Sequence, residues 1–363
     1  MTRPVVSKCC SVNRGGGWFS WLRWRPTSTV SLAQAEQKLL KGLKSVLSSK
    51  YVWIAGNKKR IWTVWTNPNN TDKTPVVFVH GMGGGVGLWA LNIDGVAEQR
   101  PFYAFDLLGF GRSSRAEFSQ DAVLAEKDFV ESIEDWRKEM GLERFVLLGH
   151  SLGGYLASSY SLRYPQYVKH LILVDPWGFP ERVQDPERLY RIPIWARTVA
   201  ALLQPFNPLA VVRFAGPWGP GLVQRFRPDF KKKYSGFVED DSIIFDYIYH
   251  CNAQYPSGET AFKTMSIPFG WARNPMIHRV KEIDRSIPMT IVYGSRSWVD
   301  NSTGNLVKFL REDAHVDVQL IKGAGHHVYA DRAEAFNSLV NKVCDSVDER
   351  NDRGEKNSDE TAS

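Results

Sequence analysis

Apolar positions recur along this chain in two patterns. Short runs rich in β-branched and aromatic residues predict strands over residues 51–55, 60–66, 76–80, 102–106, 145–149, 170–175, 289–294 and 316–321. Apolar residues at helical spacing predict helices over 122–140, 152–163 and 332–347. Strands alternating with helices are the pattern of an α/β fold, with a mostly parallel sheet and helices on both faces. The interval 179–284 breaks the rhythm: it is rich in Pro, Trp, Phe and Arg, with irregular helical pieces, and reads as an inserted helical lid. The divisions expected are 74–178 and 285–347 for the two halves of the core and 348–363 for a polar, disordered tail.

The first 73 residues have a different character. A helix is expected from Ser31, which caps it with Gln34 completing a Ser-x-x-Gln box; Leu32, Leu39, Leu40, Leu43, Val46 and Leu47 recur at helical spacing. With the first strands it makes up residues 31–73. Ahead of it, in residues 1–30, Trp18, Trp21 and Trp24 alternate with Arg23 and Arg25 before Pro26. Indoles settle at the membrane interface while arginines meet lipid phosphates, so this segment reads as a lipid-surface anchor, with Cys9 and Cys10 beside it offering thiols for acylation. The basic helix either extends that anchor or docks its apolar stripe on the globular body.

Charge sharpens this reading. The 363 residues carry a net charge of +7, which alone suggests an anionic partner. Twelve of the 46 Lys/Arg and one of the 39 Asp/Glu lie in residues 1–60, leaving +11 there and −4 on the rest. The body has no basic field for a nucleic-acid track, so nucleic acid is excluded as a partner. The four cysteines show no CxxC or Cys/His ligand spacing, which excludes a disulfide framework and a structural zinc site and leaves no metal to expect. With no apolar window of signal-peptide or transmembrane length, the expectation is an intracellular protein, soluble or peripheral.

The strongest chemical signal is Gly149-His150-Ser151-Leu152-Gly153, between a predicted strand and a predicted helix. A serine on so sharp a turn exposes its hydroxyl as a nucleophile, and flanking glycines remove Cβ atoms that would clash. The oxyanion formed on attack needs two N–H donors, assigned to Leu152 and to Met82 in His80-Gly81-Met82-Gly83-Gly84-Gly85, with Gly83 as the alternative to Met82. The base is expected after the last strand, at His326 in Gly323-Ala324-Gly325-His326-His327, with His327 as alternative. The acid is assigned to Asp300, after strand 289–294, with Asp175 as alternative. His326 and Asp331 also form an H-x4-D arrangement of the kind that deprotonates an acceptor hydroxyl in acyl transfer from coenzyme A, although Asp331 also suits a helix cap. No bound cofactor is expected; acyl-CoA is the candidate co-substrate.

Together these residues resemble the α/β-hydrolase superfamily over roughly residues 74–347. A narrower resemblance is carried by the segments beginning Phe105-Asp106-Leu107-Leu108-Gly109, Leu173-Val174-Asp175-Pro176-Trp177, Tyr247-Ile248-Tyr249-His250-Cys251, Phe269-Gly270-Trp271-Ala272 and His326-His327-Val328-Tyr329-Ala330-Asp331. It is to a small family of α/β-hydrolase-domain lipid proteins with two branches: coactivators of adipose triglyceride lipase, also described as lysophosphatidic acid acyltransferases, and lipases for N-acylphosphatidylethanolamine and its lyso form. Ser151 is similar to the lipase branch; Arg296 and Gly325 are similar to the lipase-activating positions of the coactivators. The resemblance implies an enzyme acting on acyl groups of (lyso)phospholipids or glycerolipids, or alternatively a non-catalytic coactivator. It also implies a cytoplasmic protein peripheral to lipid droplets, with a triglyceride-lipase-like partner and droplet coat proteins nearby.

Overall fold

The computed structural model describes residues 27–182 and 209–361. Eight strands form its main sheet: β1 (Ser48–Ile54), β2 (Lys59–Thr66), β3 (Val76–Val79), β4 (Phe102–Phe105), β5 (Phe145–His150), β6 (Val168–Val174), β7 (Met289–Gly294) and β8 (Val316–Ile321). Each end lies within three residues of its predicted position. The order across the sheet is β1-β2-β4-β3-β5-β6-β7-β8. β2 runs antiparallel to β1 and β4, and the remaining pairs are parallel.

The central strands are apolar at nearly every position because both faces are covered. The pleat sends Val77, Val79, Phe145, Leu147, Leu171 and Leu173 into one core and Val76, Phe78, Val146, Leu148, Ile172 and Val174 into the other. Four helices set the positions that matter below: α1 (Thr29–Leu40), α2 (Ala90–Ala97), α3 (Ala122–Met140) and α4 (Leu152–Arg163). α3 coincides with its prediction because both ends are written locally. Asp121 accepts the N–H groups of Val123 and Leu124, and Gly141 takes the left-handed conformation that ends the helix.

At three places the structure departs from the sequence reading. α1 is capped by Ser28, whose hydroxyl oxygen accepts the N–H of Ser31, and it stops at Leu40, well before Leu47. The chain turns there because Lys44 and Ser45 donate their N–H groups to the Asp94 carboxylate, each at 2.9 Å. The helix lies on the body, with Leu32, Ala35 and Leu39 buried and Glu36 accepting the Trp62 indole N–H.

Second, the stretch from residue 348 continues a helix, and its first residues are held on the fold. One helix runs Ala333–Thr361, and Asp348 is held by Arg100, by the Thr74 N–H and by Lys73. Arg100 is fully buried and also pairs with Asp345, so this end of the polar segment neutralises an internal guanidinium. Third, the insertion is narrower than 179–284. Met276 and Ile277 return to pair with the carbonyls of Gly178 and Phe179, while Val280, Ile283 and Ile287 belong to the main core. Between these ends the described part of the cap holds helices Ala210–Phe214, Gly219–Phe226, Asp229–Tyr234, Ser242–Asn252 and Ser257–Met265. The expected anchor residues Trp18, Trp21 and Trp24 lie outside the described residues. Among those described, no helix is long and apolar enough to cross a membrane.

Candidate active site

Ser151 sits between the end of β5 and the start of α4 with φ 53° and ψ −118°, a backbone conformation L residues rarely adopt. The surroundings hold it there. Its N–H donates to the Val174 carbonyl, and its own carbonyl accepts from Gly154, Tyr155 and Trp177. The glycine at 153 is a steric requirement: a Cβ there would lie 2.3 Å from the Val79 carbonyl oxygen. A strained serine over-determined by its neighbours is what an exposed nucleophile needs.

His326 is brought to this place by two contacts. Its carbonyl accepts the Nε2–H of His150, the residue before the serine, at 2.9 Å, and its ring lies 4.8 Å from the His150 ring. Its Nδ1 lies 2.6 Å from Oδ2 of Asp175, fully buried at the end of β6. Asp175 itself has φ 47° and also accepts the Ser297 hydroxyl and the Gly294 N–H. Facing a carboxylate, Nδ1 carries its proton and Nε2 is left free to accept one. No hydrogen bond joins His326 to Ser151 among the described residues; Ser151 and the His326–Asp175 pair meet at the carboxyl ends of β5 and β6 and the loop after β8.

The acid assignment to Asp300 is therefore corrected to Asp175. Asp300 is exposed, and its carboxylate accepts the N–H of Ser302 at the start of helix Ser302–Leu310. The seat beside the imidazole in the loop after β7 is taken by Ser297, which bonds Asp175, and by Trp298, whose ring lies 4.9 Å from His326. The H-x4-D pair is corrected too. No hydrogen bond joins Asp331 to His326 among the described residues; its oxygens engage the Gly325 N–H at 2.8 Å and Lys233 at 3.4 Å. Nor does His327 take the base's place: it is half-buried, packed against Phe230 and Tyr329, and desolvation holds it well below the usual histidine range. Arg296 is exposed, its guanidinium bonding the Gly323 carbonyl and its N–H the Ala324 carbonyl, so it braces the loop that carries Gly325 and His326.

The loop after β3 runs against the serine. A Cβ on Gly81 would lie 3.0 Å from the Ser151 Cβ and 2.9 Å from the His150 Nδ1. Met82 follows, and Leu152 opens α4, where its N–H has no intrahelical acceptor. This loop has a buried support that sequence reasoning missed. Asp106 accepts the Val86 N–H and the Arg112 N–H, both at 2.7 Å, and burial raises its carboxyl above the usual range. His80 is kept neutral by burial and bridges the same loops, donating from Nδ1 to the Gly81 carbonyl and accepting the Leu107 N–H at Nε2. Asp106 followed by a Gly-x-Gly turn was the available signal, since a Cβ on Gly111 would collide with its carboxylate.

A cavity of about 390 Å³ adjoins this loop beneath the cap. Met82, Gly83, Gly84 and His327 form one side, and Val212, Leu222, Val223, Phe226 and Ile248 make the other mainly apolar.

The alpha/beta hydrolase fold family matches the chain over residues 74–333. The chain is 56% identical to a human (lyso)-N-acylphosphatidylethanolamine lipase, covering 92% of this chain and 97% of that protein. It is 53% identical to a pig 1-acylglycerol-3-phosphate O-acyltransferase ABHD5, over 89% and 92%. Among solved structures it is similar in fold to a bacterial membrane phospholipase A, with TM-score 0.63, 21% identity, and coverage of 88% of this chain and 91% of that one. With that match across most of its core and relatives of more than half identity along nine-tenths of its length, the chain belongs to the α/β-hydrolase family, within the lipid-metabolism group that holds these relatives.

Proposed function

We propose that this protein is a serine hydrolase that cleaves acyl esters of (lyso)phospholipids. The observation that carries the reading is the pair of His326 with the buried Asp175 at 2.6 Å, brought beside the strained Ser151 turn. His326 Nε2 takes the Ser151 proton as Oγ attacks the acyl carbonyl. The N–H groups of Leu152 and Met82 receive the developing oxyanion. Collapse expels the glycerol oxygen, which leaves with the proton held by His326. Water, deprotonated by the same imidazole, then releases the fatty acid and restores Ser151.

The apolar cavity beside the Met82 loop fits an acyl chain better than a polar group. The relative named as a (lyso)-N-acylphosphatidylethanolamine lipase supports a lipid ester as substrate. Water is taken as the acceptor, since the Asp331 carboxylate that an H-x4-D transfer would draw on is engaged by Gly325 and Lys233. Release of fatty acid from lysophosphatidylethanolamine and its N-acyl form should fall by several orders of magnitude in Ser151→Ala. Release at the wild-type rate would remove Ser151 from the mechanism.

A further inference from the structure

A chain of charges that the chemistry does not use runs from the cap to the loop of the base. Lys233, in cap helix Asp229–Tyr234, has a side chain only 8% exposed. It donates to Asp229 Oδ2 at 2.6 Å and reaches Asp331 Oδ1 at 3.4 Å. The other Asp331 oxygen accepts the Gly325 N–H at 2.8 Å, one residue before His326. The same cap helix places Phe230 against the ring of His327 at 5.0 Å, with Lys233 and Arg227 over that phenyl face. Arg227 is itself forked on Asp229. On the far side, the Tyr234 hydroxyl donates to the Leu88 carbonyl, beyond the oxyanion loop.

We propose that Asp331 and Lys233 are positioning residues for His326, so that seating of the cap fixes the orientation of the base. The inference rests on the reading of His326 as base. The segment at 325–326 belongs to no helix or strand; Asp175 holds the His326 ring, and the backbone is held at two points: the His326 carbonyl by His150, and the Gly325 N–H by Asp331. Remove the second and the peptide bearing the imidazole pivots on the first. A displacement of about 1 Å at a reacting group costs on the order of 10²-fold in rate. Lys233 has the complementary task. By contacting Oδ1, Lys233 fixes which way the two Asp331 oxygens point and leaves Oδ2 turned to the Gly325 N–H.

Asp331→Ala, Asp331→Asn, Lys233→Met and the Lys233→Met/Asp331→Ala double variant separate positioning from mere stability. The first readout is turnover of a short soluble ester, split into kcat and KM. The second is the low-field proton resonance of the His326 Nδ1–H in its bond to Asp175, identified by its loss in Asp175→Ala. Asp331→Ala should lower kcat about tenfold or more with KM within about twofold, and broaden the resonance. Asp331→Asn keeps an acceptor for Gly325 and should recover most of both. Lys233→Met should cost several-fold alone and nothing further on Asp331→Ala, because the two act through one contact. An Asp331→Ala variant whose kcat per folded molecule and resonance match the wild type overturns the proposal. If the wild type turns over no ester while the resonance still responds to Asp331, the hydrolase reading fails and the positioning stands.

Discussion

At the scale of single residues, the structure turns on which carboxylate meets His326. The places of Ser151 and His326 in the fold were legible because each sits in a motif whose context is local: a strand-turn-helix for one, a glycine-rich loop after the last strand for the other. The acid was not, because Asp175 and Asp300 both follow a strand in chain order ahead of the histidine. The difference is tertiary: β6 delivers Asp175 into a fully buried site with three donors, and the loop after β7 carries Asp300 out to water. Asp175→Asn keeps the shape but presents an amide to Nδ1 and stabilises no imidazolium. It should lower kcat by about 10⁴-fold. Asp300→Asn keeps an acceptor oxygen for the Ser302 N–H and should stay within about twofold, measured on the same ester. Equal losses in the two variants would contradict the correction.

At the scale of elements, α3, α4, β7 and β8 matched their predicted spans because caps, glycines and uninterrupted apolar runs mark their ends. α1 did not. Its apolar stripe was visible, but what stops it is Asp94, from a distant helix. Its docking also buries an ionisable group. Glu36 faces Trp62, Arg112 and Asp106; burial, aided by the Asp106 carboxylate and opposed by Arg112, pushes its pKa up to about 8. One Glu36 oxygen, Oε1, accepts from both Trp62 and Arg112, while the buried Oε2 has no partner. The folded state therefore holds a proton that the unfolded chain releases near pH 4.5. The stability this contributes is complete below that pH and is lost as pH rises towards 8, where the folded form must also ionise. Thermal unfolding followed from pH 5 to pH 8.5 should show a falling Tm in the wild type and a flatter profile in Glu36→Gln. A profile unchanged by that substitution would mean that Glu36 is ionised throughout.

At the scale of the whole molecule, the α/β order was readable because a parallel sheet buried on both faces needs apolar runs that survive any local ambiguity. The boundaries were less so. The stretch from Asp348 looked too polar to fold, yet Asp348 answers the buried Arg100 and the Thr74 N–H, partners nearly 250 residues or more away. Likewise, the cap's return at Met276 is set by pairing with Gly178 and leaves no mark on the local sequence. What these long-range contacts build is one site: Ser151 from β5, Asp175 from β6, His326 after β8, and the Met82 loop from β3, beneath a cap. The central claim is that this assembly activates Ser151. The direct test is labelling of the intact protein by a fluorophosphonate, with the modified residue located by mass spectrometry, beside Ser151→Ala and Asp175→Asn. The account predicts a single adduct on Ser151, absent from Ser151→Ala and formed far more slowly in Asp175→Asn. An adduct on another residue, or no adduct on the folded wild type, would contradict it.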